Sequence, residues 1–374
     1  MSVPATARAV RSTIRDDGTI AVTVVDEPIP ELADDQLLIE VGASPINPSD
    51  LGTLLAGIDP ESLHSGDVDG RPALIANLLP GVAKAQAARV GLPLPVGNEG
   101  AGTVVAAGAG GDAQNLLGRT VAAIPGGMYA THRVVHHSQA LPLPDGVTAE
   151  QGASCFVNPL TVLGMIETMR LDGHTGIVHT AAASNLGQML VKACASEDVP
   201  LVNVVRRAEQ ADLLRSLGAE HVVVSSSDSF RSDLVEALRA TGATIAFDAI
   251  GGGDTLSTIL SAMESATGTN DPANRYGSTV LKQGYIYGGL DRGPTTLDRT
   301  YGMAWSIGGF LMPNFLARVG DARANELRAQ IAAEITTTFA SSYTDRVDLD
   351  AVIDPDVTRR YARMATGEKY LVVP

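Results

Sequence analysis

Between His179 and Arg207 the chain reads HTAAASNLGQMLVKACASEDVPLVNVVRR. A short β-branched run, a turn of small residues, a helix-forming stretch and a second apolar run end in two adjacent arginines. A tight turn from strand into helix aims backbone N–H groups and the positive helix end at an anion. A dinucleotide-binding turn places glycines at three points: for the turn, for pyrophosphate approach and for helix–strand packing. Here those points hold Ala182, Ser184 and Gly187, so only the packing glycine is kept. The small residues still leave the approach open, and the Ser184 hydroxyl can donate to a phosphate. A plain strand–helix turn is the alternative. About 20 residues on, where an acidic residue would bind the ribose 2′-hydroxyl of NAD, stand Arg206 and Arg207. A carboxylate there repels a 2′-phosphate, whereas a guanidinium binds it bidentately. Solvated surface charge is the other reading of the pair, but on an acidic chain the spacing favours NADP(H).

The elements that must carry this turn follow from the hydrophobic pattern. From Ala7 to about Leu143 short β-branched runs bounded by Gly, Pro, Asp or Asn predict an antiparallel, barrel-like domain. One segment breaks that rhythm, residues 58–94. Its "ALIANLL" and "VAKAQAARV" stretches are rich in helix formers. They predict an ordered helical insertion that caps a substrate pocket, with a subunit contact or surface elaboration as the alternative. Beyond "LPLPDGVTAEQGASCFVNPLTVLGMIETMRL" the strands "GIVHTA", "PLVNVV", "HVVVS" and "TIAFDAI" alternate with helical segments. That alternation predicts a doubly wound parallel sheet, so the fold class is α/β with a β-rich domain beside it. The expected boundaries are 1–152, 153–314 and a return to the first domain over 315–374.

Composition narrows the function classes. The 374 residues are 45% hydrophobic and 18% charged, with a net charge of −15. Such an acidic surface argues against nucleic acid or an anionic membrane as partner, since phosphate neutralisation needs a basic footprint. No run is long and apolar enough to span a bilayer, and the first residues lack an apolar leader core. Two cysteines, Cys155 and Cys194, make no disulfide framework. A cytoplasmic protein with a small-molecule substrate is the expectation.

The motifs "SPINPSDL", "PVGNEGAGTVVAAG", "VNPLTVLGMI", "AAASNLGQ", "VNVVRRAEQADLLRSLGAEHVV" and "FDAIGGG" occur in this order along nearly the whole chain. By them the chain resembles the medium-chain dehydrogenase/reductase superfamily, and most closely its zinc-independent branch. That branch includes NADPH quinone oxidoreductases and 2-enoyl thioester reductases. The resemblance implies a GroES-like catalytic domain, an inserted Rossmann domain, and a nicotinamide in the cleft between them. It places Ala182, Ser184, Asn185, Leu186 and Gly187 at the cofactor. Ile250 and Gly251 fall near adenosine and pyrophosphate, Gly288 near the nicotinamide ribose, and Lys369 in a tail motif that reaches the cleft. Asn47, Asp50 and Thr161 are implied near the nicotinamide, although turn capping and a helix-start hydroxyl explain the same residue types.

Zinc-dependent relatives carry Cys where this chain has Asn47 and His where it has Asn98, so no metal is expected. Without a Lewis acid, hydride transfer needs an activated acceptor, a quinone or a C=C conjugated to a carbonyl. The enoyl reductases hold a tyrosine proton donor between the "NPSD" and "GNEG" motifs, and this chain has no tyrosine before Tyr129. Tyr129 is therefore a candidate acid, with an ordinary strand aromatic as the alternative reading. The rival functions are an alcohol–carbonyl dehydrogenase and a cofactor-binding protein with little turnover. By the same resemblance "MAWSIGGFLM" forms an outer sheet strand that pairs two subunits, so a homodimer is expected.

Overall fold

The first two strands, β1 (Thr6–Ile14) and β2 (Thr19–Pro28), form an antiparallel hairpin closed by Gly18 at φ 80°. Here and below, the computed structural model describes residues 3–268 and 275–374. The chain divides into two units, Met1–Val157 with Arg328–Pro374, and Asn158–Leu327.

In the first unit β3 (Gln36–Pro45) leads through Ile46 and Asn47 into α1 (Pro48–Leu54). The segment after it is not the expected helical insertion. It forms a hairpin, β4 (His64–Val68) and β5 (Arg71–Asn77), then only a single helical turn, α2 (Val82–Ala85), a 3-10 turn, and the short β6 (Leu94–Pro95). The reason lies in "DVDG": Asp69 at φ 53° and Gly70 at φ 78° supply the two left-handed residues of a tight hairpin turn. "ALIAN" then pairs with the open edge of β2, Thr19 opposite Asn77 through Thr23 opposite Ala73. Sheet pairing overrides the helix propensity of Ala and Leu. The resulting sheet runs β4-β5-β2-β1-β6.

The chain continues through β7 (Gly100–Ala107), α3 (Gly111–Gln114), β8 (Thr120–Ala123), β9 (His132–His136), β10 (Ala140–Pro142) and α4 (Ala149–Gly152). Strand β3 organises this second sheet, pairing with β7 along one side and with β9 on the other. Gly102 is required there: a Cβ on it would lie 2.0 Å from the Glu40 carbonyl oxygen. Val10, Ile14, Ile20, Leu54, Leu74 and Tyr129 build the core of this unit with β-branched, aliphatic and aromatic packing.

Helix α5 (Val157–Leu171) opens the second unit. There β11 (Ile177–His179), α6 (Asn185–Ser196), β12 (Leu201–Val205), α7 (Ala208–Ser216), β13 (His221–Val224), α8 (Phe230–Thr241) and β14 (Ile245–Asp248) alternate strictly. After β15 (Gly251–Gly253) and α9 (Thr255–Thr267) come β16 (Lys282–Ile286), β17 (Asp291–Thr295) and β18 (Trp305–Gly309). Six of these strands make one parallel sheet in the order β13-β12-β11-β14-β16-β18. The order reverses between β11 and β14, the switch point where doubly wound sheets open toward a ligand. Helix α10 (Met312–Ala333), broken at Gly320, carries the chain out of this unit.

The return adds β19 (Asp345–Val347), α11 (Leu349–Val352), α12 (Pro355–Ala362) and β20 (Tyr370–Val372) to the first unit. β20 pairs antiparallel with the end of β3, Leu371 opposite Pro45, and parallel with β19. The fold is thus a GroES-like β-rich domain interrupted by a Rossmann domain. Among the described residues no helix is long and apolar enough to cross a membrane.

Candidate active site

In the first unit the chemistry starts at the turn from β3 into α1. Asn47 caps α1, with Pro48 at its first position, and the Asn47 N–H donates to Asp50 Oδ2 at 2.8 Å. Asp50 Oδ1 accepts from the Asn98 N–H at 2.7 Å, so both carboxylate oxygens are engaged by backbone donors. The Asn47 amide donates through Nδ2 to Glu99 Oε1 at 2.8 Å. Glu99 Oε2 accepts from the N–H groups of Phe156 and Val157 at 2.7 and 2.9 Å, which ties the segment leading into α5 to the same carboxylate. Asn98 donates through Nδ2 to Ser49 Oγ at 3.0 Å.

Lys369, immediately before β20, completes the cluster. It is 9% exposed, and its ammonium stands 5.7 Å above the Tyr343 ring. Burial pushes Lys369 down to about 8, while the charges of Glu99 and Asp50 pull the other way. Burial also raises Asp50 to about 7, opposed by the Asn47 and Asn98 N–H groups and reinforced by the negative charge of Glu99. Glu99 is raised by burial against the pull of Lys369 and its N–H donors. Two carboxyls and one amine therefore share a dry site, where their protons are coupled.

Tyr129 is not the exposed acid that its position in the sequence allowed. It is wholly buried in the core, and its hydroxyl donates to the Pro45 carbonyl at 3.1 Å. A bulky aromatic next to glycines fills space that the small residues leave. Cys155 is buried too, and burial raises its thiol well above the ordinary range. Among the described residues no three His, Cys, Asp or Glu side chains are grouped to hold a metal.

In the second unit the turn after β11 bends at Ala181, φ 48°, and Ser184 caps α6 by accepting the Gly187 N–H on Oγ at 3.2 Å. That leaves the Ser184 hydroxyl hydrogen to donate, and the first-turn N–H groups lack intrahelical acceptors. Gly187 is required: a Cβ there would lie 2.0 Å from the Ala182 carbonyl oxygen. Asn185 Oδ1 accepts from Asn158 Nδ2 at 3.0 Å, and Leu186 is buried beneath the turn. Ile250 and Gly251 follow β14, and Gly288 follows β16. The strand order thus gathers the turn, Ile250, Gly251 and Gly288 at the carboxyl ends of neighbouring strands. Arg206 and Arg207 follow β12 at that same end. Both are exposed, and among the described residues neither makes an ion pair; their backbone N–H groups donate to Gln210 Oε1 at 3.1 Å. Thr161 lies within α5, 9% exposed.

Several residues of these clusters carried no role in the sequence. Glu99 is one; a carboxylate between Asn98 and Gly100 at the head of an apolar strand is the signal that it needs buried partners. Thr180 and Asp248 are others: Thr180 Oγ1 donates to Asp248 Oδ1 at 2.6 Å, and Asp248 accepts from Ile250 and Gly251 N–H at 3.0 Å each. His179 Nε2 meets Tyr287 Oη at 2.7 Å, and burial pushes the imidazole down to about 3, so it stays neutral. The second-unit set fits a dinucleotide: a small-residue turn at a helix start, close-approach glycines and a cationic pair at the next strand end. Asn47 Oδ1, buried with no hydrogen-bond partner among the described residues, is an acceptor still to be satisfied.

No family model matches the chain. The mitochondrial enoyl-[acyl-carrier-protein] reductase of Bos taurus is 32% identical over 138 residues, 35% of this chain and 37% of that protein. A quinone oxidoreductase of Pseudomonas aeruginosa is 29% identical over 163 residues, 43% of this chain and 50% of that protein. The chain spans half or less of the length of these two relatives. Among solved structures, a candidate NADPH:quinone reductase of Mesorhizobium loti superposes with a TM-score of 0.74 at 24% identity, over 100% of both chains. The mitochondrial 2-enoyl thioester reductase heterodimer of Candida tropicalis gives 0.68 at 20% identity, covering 99% of this chain and 100% of that one. At these identities the structural likeness establishes the fold.

Proposed function

We propose, from relatives and structural neighbours that are quinone oxidoreductases and 2-enoyl thioester reductases of the medium-chain dehydrogenase/reductase superfamily, that this chain is an NADPH-dependent oxidoreductase of that type. Its acceptor is a quinone or an activated enone. The observation that carries the cofactor half is the exposed Arg206–Arg207 pair, without ion pairs among the described residues, at the strand end next to the Ser184 turn. NADPH supplies a hydride when bound. Arg206 and Arg207 hold its 2′-phosphate. The Ser184 hydroxyl and the first turn of α6 receive the pyrophosphate, with Ile250, Gly251 and Gly288 keeping the backbone close. The Thr161 hydroxyl, in the same unit, orients the reacting end. Activated acceptors are favoured because the positions of two zinc ligands are amides, Asn47 and Asn98, both engaged as donors.

The half-exposed edge strand β18 is flanked by Met303 and Leu311, 73% and 59% exposed. An open apolar edge is a liability that pairing with a second copy removes, so the working unit is a homodimer. The test is NADPH consumption, followed by absorbance, against a panel of quinones and enones. Turnover with at least one acceptor and preference for NADPH over NADH is the expected result. A protein that binds NADPH but turns over none of the panel is a cofactor-binding protein instead.

A further inference from the structure

The second unit holds a cavity of about 400 Å³ that none of the proposed cofactor contacts lines. Its walls are the later turns of α6, the end of α8, the residues leading into β12 and the start of β13. It therefore lies at the amino ends of these strands. The Ser184 turn, Ile250 and Gly288 lie at the carboxyl ends, where doubly wound sheets bind nucleotides. From its lining we infer that this cavity is a second ligand site, which takes a small aliphatic amine in its ammonium form. The inference does not depend on the hydride-transfer reading.

Asn203 carries the argument. It lines the cavity from β12 and is 1% exposed. Its Nδ2 donates to the His221 carbonyl at 3.4 Å. That contact fixes the sense of the amide, because only its N–H side can face a carbonyl. Asn203 Oδ1 has no hydrogen-bond partner among the described residues. The Thr241 hydroxyl, also in the lining, supplies none, since it donates to the Ala237 carbonyl at 2.8 Å. A buried acceptor left unmatched costs the desolvation of its oxygen, so the group it calls for is a donor. The charge of that donor follows from the rest of the lining. Asp198 and Glu220 stand exposed at the cavity, and among its described lining residues there is no Lys or Arg. Two carboxylates without a cation favour a positive ligand and repel an anion. Val191, Val199 and Leu201 are buried along the wall, where a short hydrocarbon body removes apolar surface from water. Among the described residues no three His, Cys, Asp or Glu gather to hold a metal ion, so the cation is organic. An alkylammonium brings N–H donors for Asn203 Oδ1, a charge for the two carboxylates and an apolar tail for the wall.

The test titrates hexylammonium, hexanol and hexanoate calorimetrically into the full chain at physiological salt, which screens attraction to the acidic surface as a whole. Hexylammonium should bind at least about tenfold more tightly than hexanol, and hexanoate should not bind. Asn203→Leu should weaken hexylammonium roughly tenfold, and so should the pair Asp198→Asn and Glu220→Gln. Asparagine tolerates the left-handed backbone at Asp198, φ 53°, so the paired variant keeps its fold. In the wild type the Asn203 side-chain amide resonance should move during the titration, which decides the case if Asn203→Leu fails to fold. Saturating NADPH should leave the hexylammonium affinity unchanged. Absence of binding, equal affinity for the three probes, a loss confined to the carboxylate variant, or an unmoved Asn203 resonance overturns the site. Competition with NADPH also overturns it, by placing the amine where the cofactor binds.

Discussion

The first unit buries Asp50, Glu99 and Lys369 as one cluster in which carboxyls and an amine compete for protons. The second buries its polar groups in closed pairs, Thr180 with Asp248 and His179 with Tyr287, at 2.6 and 2.7 Å. Each leaves one buried atom without a hydrogen-bond partner among the described residues, Asn47 Oδ1 in the first and His179 Nδ1 in the second. They differ in what a change of pH does. Asp50 is raised from 3.8 to about 7, so its stabilising contribution is fully present below 3.8 and is lost as pH rises through 7. His179 is lowered from 6.5 to about 3, so its contribution is present above 6.5 and is lost as pH falls toward 3. The first unit's stability is therefore sensitive to rising pH and the second's to falling pH.

The largest expected effect breaks the first cluster. Glu99→Ala leaves the Asn47 amide and the Phe156 and Val157 N–H groups without their acceptor and Lys369 without its carboxylate. Removing one partner of a buried charge pair costs about 3–5 kcal/mol, which urea unfolding at neutral pH measures; a loss below about 1 kcal/mol would mean the cluster is wetter than its burial indicates. The contrast in pH sign is checked next. Asp50→Asn should flatten the decline in stability between pH 4 and 7, and His179→Gln should flatten the acid loss below 6.5. Slopes of the same sign for both variants would erase the distinction between the units.

Replacing Arg206 and Arg207 together by alanine should weaken NADPH binding at least about tenfold and leave NADH nearly unchanged. Calorimetric titration of both cofactors measures it, and equal loss for both would remove the 2′-phosphate role. The smallest effect tests the proposed anion-binding role of the turn before α6. Ser184→Ala should cost about 1 kcal/mol of stability through the lost α6 cap, with NADPH affinity falling alongside. Stability loss without any change in affinity would make Ser184 a cap alone.

The Rossmann half was legible because its signals are local. The βα turn, the strand-ending arginines and the alternation of apolar runs with helix formers each depend on neighbours in sequence. The first domain was legible in kind, through its short β-branched runs, but not at residues 58–94. There "ALIANLL" carries helix-forming residues, and the outcome was set by the vacant edge of β2 together with the Asp69–Gly70 turn. The turn was readable as a hairpin signal; the vacant edge was not, because strand neighbours are a property of the folded sheet. Glu99 and His179 were unreadable for a related reason. Their identities say acid and base, but only packing decides that one joins a lysine from the far end of the chain and the other is sealed against a tyrosine.

The pairing of β20 with β3 has a consequence for synthesis on the ribosome. Strand β3 emerges early, yet its partner at Ser44 and Pro45 is made only after the whole Rossmann unit. Until then the β3 end that leads into Asn47 is an unpaired strand edge, and Asp50 and Glu99 lack the lysine that offsets their charge. The inserted unit needs no such late segment for its six-stranded sheet, so it is free to fold while the outer unit waits. Nascent chains stalled between the two units should therefore expose β3 to chaperones, and acquisition of the lysine strand is the event that closes the outer domain.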